Sequence, residues 1–154
     1  DTPHSEEVAT FLLWNLSGQL VGYQNYRPSA GKERMDNPTM MRYFSRSTNK
    51  ALVVWGLEHL DPSKSDLYVV EGVFDAVKLQ NLGYNAVATL TNNPKHLQNW
   101  LNSLPYRTIA VCDGDKAGEK LANSCDLAIH LQSDKDLGDM SYKEITCLIA
   151  SFCV

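Results

Sequence analysis

The sequence predicts an α/β protein: a doubly wound, mostly parallel four-stranded sheet preceded by a small strand-rich lobe. Three observations lead there. From Asp66 onward, short apolar runs rich in β-branched and aromatic residues alternate four times with stretches of helical periodicity. Before that point, turn pairs and period-two alternation dominate. Between the two textures lies the polar stretch "DPSKSD", which sets the expected domains at 1–65 and 66–154.

Taken in order, "FLLWNLSGQLVGYQNYRP" reads as two strands joined at Ser17-Gly18, with alternation through Val21, Tyr23 and Tyr26. "PSAGKERMDNPT" is a loop, "MMRYFSR" a further strand, and "ALVVWGLEHL" a strand or a segment leading to a turn. "LYVVE" has the texture of a strand buried on both faces. The helix after it places Val73, Ala76, Val77 and Leu82 at helical spacing, with Gly83 as its stop. "NAVATL" is the next strand. The helix in "NPKHLQNWLNSLP" has Pro94 near its first turn and Pro105 beyond its end. "TIAVCD" and "LAIHL" are strands, and "KAGEKLANSCD" is the helix between them. "SYKEITCLIASF" closes the chain as a helix capped by Ser141, with Glu144 three residues on.

At 154 residues and 44% hydrophobic composition, the chain is long enough for one sizeable core. No apolar run reaches the roughly 18 residues of a membrane span, and "DTPHSEEV" has no signal-peptide pattern. A cytoplasmic protein is therefore expected. Cys112, Cys125, Cys147 and Cys153 show no zinc-ligand spacing. Cys112 and Cys147 sit in apolar runs and are expected as buried thiols. Net charge is −4, unevenly spread: residues 24–50 carry six basic residues against two acidic ones, whereas residues 51–154 carry eight against thirteen. A basic segment of that kind is either a solvated loop or a contact for phosphates.

Parallel α/β sheets place their ligand sites beyond the carboxyl ends of the strands. Glu71 ends the first strand of the sheet, Asp113 ends the third, and Asp115 lies two residues further. Asp136 and Asp139 follow the fourth, and Asp75 occupies the first turn of the helix after Glu71. Each of these acids alone is ordinary turn or helix-start chemistry. Gathered at one edge they repel unless a cation neutralises them, and an oxygen-rich set suits Mg²⁺ or Mn²⁺. Such ions commonly serve phosphoryl transfer.

"LYVVEGVFDAVKLQNLGYNAVATL", "TIAVCDGDKAGEKLA" and "LQSDKDLGD", in this order and spacing, resemble a Toprim domain over roughly residues 66–140. That is the catalytic fold of primases, of type IA and II topoisomerases and of certain nucleases. The family's glutamate falls on Glu71 and its DxD pair on Asp113 and Asp115. The further aspartate of primases falls on Asp75, and the third acidic motif on Lys135, Asp136 and Asp139. Gly138 stands where bacterial primases usually carry a second aspartate. "GQLVGYQNYRP", "MMRYFSR" and "WGLEHL" are similar to the small lobe preceding Toprim in DnaG-type primases, especially phage ones.

The resemblance implies the catalytic core of a DNA primase, a nucleotidyltransferase making short RNA on single-stranded DNA from ribonucleoside triphosphates. Glu71, Asp113 and Asp115 would be catalytic, holding Mg²⁺ or Mn²⁺ with Asp75, Asp136 and Asp139. Lys135 would touch a phosphate, and Arg27, Arg34, Arg42 and Arg46 would track the template. It also implies a zinc-binding or helicase module, on a longer chain or on a partner. The alternatives are a Toprim nuclease using the same metals and a non-catalytic nucleotide- or nucleic-acid-binding replication module. Tyr68, Tyr84, Trp55 and Trp100 read more simply as packing aromatics.

Overall fold

The computed structural model describes residues 7–31, 33, 36–49, 52–91, 93–113, 118–132 and 136–152. The chain divides into two compact units, residues 1–53 and 54–154. In the first unit, β1 (Ala9–Asn15) and β2 (Leu20–Tyr26) form an antiparallel hairpin. Gly18 turns it at a φ of 74°, a conformation that glycine adopts without Cβ strain. The Asn15 side-chain oxygen accepts from the Ser17 and Gln19 N–H groups and fixes the turn. β3 (Tyr43–Ser47) pairs antiparallel with β2, and with β4 (Val53–Val54) the sheet order is β3-β2-β1-β4.

The expected strand "MMRYFSR" starts later than its residues suggest. Asn37 accepts from the Thr39 N–H and caps a 3-10 turn over Pro38–Met40, which leaves β3 to begin at Tyr43. In the sheet, Leu12 pairs with Tyr23 and Tyr23 with Arg46, so these three share one face. Leu13, on the opposite face, is buried.

The second unit runs β5 (Asp66–Val70), α1 (Val73–Asn81), β6 (Ala86–Ala88), α2 (Gln98–Ser103), β7 (Arg107–Cys112), α3 (Gly118–Ala122), β8 (Leu127–His130) and α4 (Tyr142–Phe152). Its four strands are parallel, in the order β6-β5-β7-β8. Leu67, Tyr68, Val69 and Val70 are fully buried, as are Ala86, Val87, Ala88, Ile109 and Ala110. Each large aliphatic side chain so removed from water contributes about 1.5–3 kcal/mol. Tyr68 packs edge-on to Tyr84 with ring centroids 5.3 Å apart, and Trp55 is buried, which makes all three packing aromatics.

Helix ends follow local chemistry. α1 stops where Gly83 takes a φ of 85°, with the Tyr84 N–H bonded to the Leu79 carbonyl and the Gly83 N–H to that of Gln80. α4 starts on a reciprocal cap: the Ser141 N–H and hydroxyl donate to the Glu144 carboxylate, and Ser141 Oγ accepts from the Glu144 N–H. α2 begins at Gln98, later than Pro94 implied, because residues 95–97 form turns in which the Leu97 N–H donates to the Pro94 carbonyl.

Cys112 is buried, as expected, but Cys147 is exposed. α4 buries Ile145 and Ile149, and Cys147, two residues from each, projects from the opposite side. Among the described residues, no helix is long and apolar enough to cross a membrane.

Candidate active site

The strand order fixes where a ligand can sit. From β5 the chain passes through α1 to β6 on one side, then crosses through α2 to β7 on the other. The carboxyl ends of β5 and β7 are therefore neighbours at the point where the winding reverses, the place at which such sheets open a crevice. Glu71 is the first residue after β5, and Asp113 the first after β7. Both are exposed.

Asp75 lies in the first turn of α1 and is only partly exposed. Burial pushes its carboxyl up to about 6, and the charges of Asp136 and Asp113 push the same way; Lys78 opposes them, and Glu71 adds to the rise. Acids from β5, β7, α1 and the segment after β8 thus share one field. Asp136 is exposed, and its Oδ1 accepts the Asp139 N–H at 2.8 Å. Asp139 enters the arrangement through that backbone bond.

Two glycines let backbone come close. A Cβ at Gly118 would lie 2.5 Å from the Asp113 carbonyl oxygen and 2.9 Å from Cys112 Cβ, so α3 can abut the end of β7 only with glycine there. A Cβ on Gly72 would lie 2.9 Å from Asp75 Oδ2. Strain marks the neighbouring strand: Leu90, just past β6, has a φ of 58° while its N–H donates to the Glu71 carbonyl at 3.0 Å.

Asp115, Lys135 and Arg34 lie outside the described residues. Among those described, no group of three His, Cys, Asp or Glu side chains stands close enough to hold a metal ion. Glu71, Asp75, Asp113 and Asp136 are nevertheless oxygen donors of the kind a hard divalent cation takes, and Asp75 is disfavoured as an anion first by burial and then by its neighbouring carboxylates. A bound cation would relieve that repulsion.

The basic residues of the first unit separate into two kinds. Arg27 is partly buried, and its backbone N–H donates to the Arg42 carbonyl. Arg42 Nε donates to the Ala30 carbonyl at 2.8 Å. These two organise the loop between β2 and β3. Arg46 is exposed on the sheet face that also carries Tyr23, whose ring lies 6.4 Å from that of Phe44. Sequence reasoning missed Lys78, which lies three residues after Asp75 and donates to the Leu137, Gly138 and Met140 carbonyls. Its partners are main-chain carbonyls, so no side-chain pattern in the sequence signals it.

Residues 68–140 match the family described as Toprim-like. An uncharacterised protein of Mycoplasma genitalium is 29% identical over 124 residues, covering 78% of this chain and 54% of its own length. Among solved structures, a DNA primase domain from Pseudomonas aeruginosa aligns with a TM-score of 0.65 at 17% identity, over 96% of this chain and 51% of that one. A DnaG catalytic core gives 0.66 at 22% identity, over 94% and 52%. The primase fragment of the bacteriophage T7 primase-helicase protein gives 0.65 at 15% identity, over 94% and 61%. The chain spans about half the length of the first of these relatives. It carries a Toprim-like domain at residues 68–140, within the fold of bacterial and phage primase catalytic cores.

Proposed function

We propose that this chain is the catalytic core of a DNA primase, a nucleotidyltransferase that joins ribonucleotides on a single-stranded DNA template. The observation that carries the reading is the shared field of Glu71, Asp75, Asp113 and Asp136 at the winding reversal of a primase-like fold. In the reaction a primer 3′-hydroxyl attacks the α-phosphorus of a ribonucleoside triphosphate, forming a phosphodiester and releasing pyrophosphate. Mg²⁺ or Mn²⁺, when bound, supplies activation of that hydroxyl and neutralises charge on the triphosphate.

Glu71 and Asp113, exposed just past their strands, hold the ion together with Asp115. Asp75, Asp136 and Asp139 complete the acidic shell, and Lys135 contacts a phosphate. In the first unit, Arg46, from β3, and Arg34 follow the template phosphates, as do Arg27 and Arg42, which also shape the loop between β2 and β3. Tyr23 and Phe44, on the face of Arg46, offer rings for base stacking. The protein works in the cytoplasm, with a helicase or zinc-binding module on a partner or a longer chain.

The test is primer synthesis on single-stranded DNA with labelled ribonucleotides and Mg²⁺ or Mn²⁺, alongside the Asp113→Ala/Asp115→Ala variant. Short RNA that disappears in the variant is the expected result. Degraded template would make the chain a nuclease. Saturable metal and DNA binding without either product, in the presence of a helicase partner, would make it a non-catalytic replication module.

A further inference from the structure

Lys78 directs its ammonium at main chain rather than at an acid. Its Nζ donates to the carbonyls of Leu137 (3.1 Å), Gly138 and Met140 (2.8 Å), all beyond β8. Three carbonyls use all three N–H donors of the ammonium. They belong to a tight turn in which the Asp139 N–H bonds the Asp136 carbonyl and the Met140 N–H bonds that of Leu137. The Leu137 side chain is buried, which anchors the turn from below. A cation placed on the last carbonyls of a turn stabilises it as one does at a helix C-terminus.

The turn matters because Asp136 opens it. Asp75 and Lys78 stand three residues apart on α1, so both are neighbours on one helix face. The charge of Asp136 disfavours the Asp75 anion, so like-charge repulsion opposes holding the segment that carries Asp136 against α1. Lys78 supplies the opposing tie, made to the backbone of the same segment. We infer that Lys78 is a positioning residue, which clamps the turn at 136–140 onto α1 so that Asp136 stays within reach of a cation bound near Asp75 and Asp113. Its ammonium is committed to carbonyls and is not a phosphate contact.

The inference rests on the metal-centre reading, and two measurements keep them separable. The first is Mn²⁺ binding to the whole chain, by titration calorimetry or by electron paramagnetic resonance, for wild type, Lys78→Met, Lys78→Arg, Asp136→Asn and the Lys78→Met/Asp136→Asn pair. Removing a nearby positive charge should, by charge alone, tighten cation binding. Loss of a clamp does the opposite: Lys78→Met is expected to weaken Mn²⁺ by about 10- to 100-fold, as loss of outer supports to metal ligands does. Lys78→Arg should recover part of that loss, and Lys78→Met should cost nothing further when Asp136 is already Asn. Equal or tighter binding in Lys78→Met, or an undiminished loss in the pair, overturns the clamp. If Lys78→Met does not fold, Lys78→Gln takes its place, an uncharged side chain with two N–H donors on a stem two methylenes shorter, for which the same loss of Mn²⁺ affinity is expected.

The second measurement is amide exchange at Asp139 and Met140 in metal-free protein. Their protection should fall in Lys78→Met, and retained protection overturns the clamp. If wild type shows no saturable Mn²⁺ site sensitive to Asp113→Ala, the metal-centre reading fails while the exchange result still decides Lys78.

Discussion

The backbone N–H of Leu90 donates to the carbonyl of Glu71 at 3.0 Å, and Leu90 adopts a φ of 58° to make that bond. A leucine in the left-handed region costs about 1–2 kcal/mol, and the bond ties the segment after β6 to the end of β5 where Glu71 emerges. Asn tolerates this conformation, whereas a β-branched side chain resists it. Leu90→Asn should therefore be more stable than Leu90→Ile by about 1 kcal/mol, although Ile keeps the apolar volume. Urea denaturation of the two variants checks the order.

Asp75→Asn should raise stability and lower activity together. The carboxyl titrates near 6 in the folded chain, above its ordinary value, because burial and then the neighbouring carboxylates disfavour its charge. A raised pKa means that the folded state holds the proton more tightly than the unfolded one. That contribution to stability is full below the unfolded pKa and is lost as pH rises through about 6. In EDTA at pH 7 the variant should gain about 1–3 kcal/mol over wild type, and the gain should shrink toward pH 4. Thermal melts at the two pH values, with primer synthesis measured in parallel, check both halves.

Arg46→Ala and Arg42→Ala should fail differently. Arg46 is exposed beside Tyr23, so its loss should weaken single-stranded DNA binding and flatten the salt dependence by about 0.7 in log–log slope. Arg42 holds the Ala30 carbonyl, so its loss should lower stability by about 1 kcal/mol. Fluorescence anisotropy at several salt concentrations and chemical denaturation separate the two outcomes.

Gly118→Ala tests the junction of β7 and α3. The added methyl would meet the Asp113 carbonyl at 2.5 Å, and backbone cannot yield as a flexible side chain does. The substitution should cost about 1–3 kcal/mol and displace Asp113, with primer synthesis falling more than single-stranded DNA binding does. Gly31→Ala, where the nearest atom is 3.9 Å away, is the matched control and should be close to neutral.

Much of the second unit was legible in the sequence because its strands are buried on both faces. "LYVV" and "TIAVC" have no polar interruption and can be little else. The placement of Glu71 and Asp113 just past neighbouring strands was also legible, since strand ends are positions along the chain and parallel strands put alike ends at one edge. The start of β3 was not, because "MMRYFSR" carries a strand-like texture that the Asn37 cap overrides from outside it. Cys147 misled because its neighbours are apolar while the helix face is set by Ile145 and Ile149. Lys78 was hidden for a different reason. Its partners are carbonyls about 60 residues away, and main-chain groups leave no mark on side-chain pattern.

The order β6-β5-β7-β8 also has a consequence for how the chain emerges from a ribosome. Both neighbours of β5 lie later in the chain, so its two hydrogen-bonding edges stay open until residues 86–88 and then 107–112 follow. "LYVV" in that interval is an uncharged, strand-prone segment, the kind that recruits other nascent chains. The charges flanking it are Asp66 and Glu71. Glu71 is thus one of two charges that bound this segment, besides standing at the finished edge. Neutralising it should raise the fraction of chain lost to aggregation on refolding, even where the native fold is left intact.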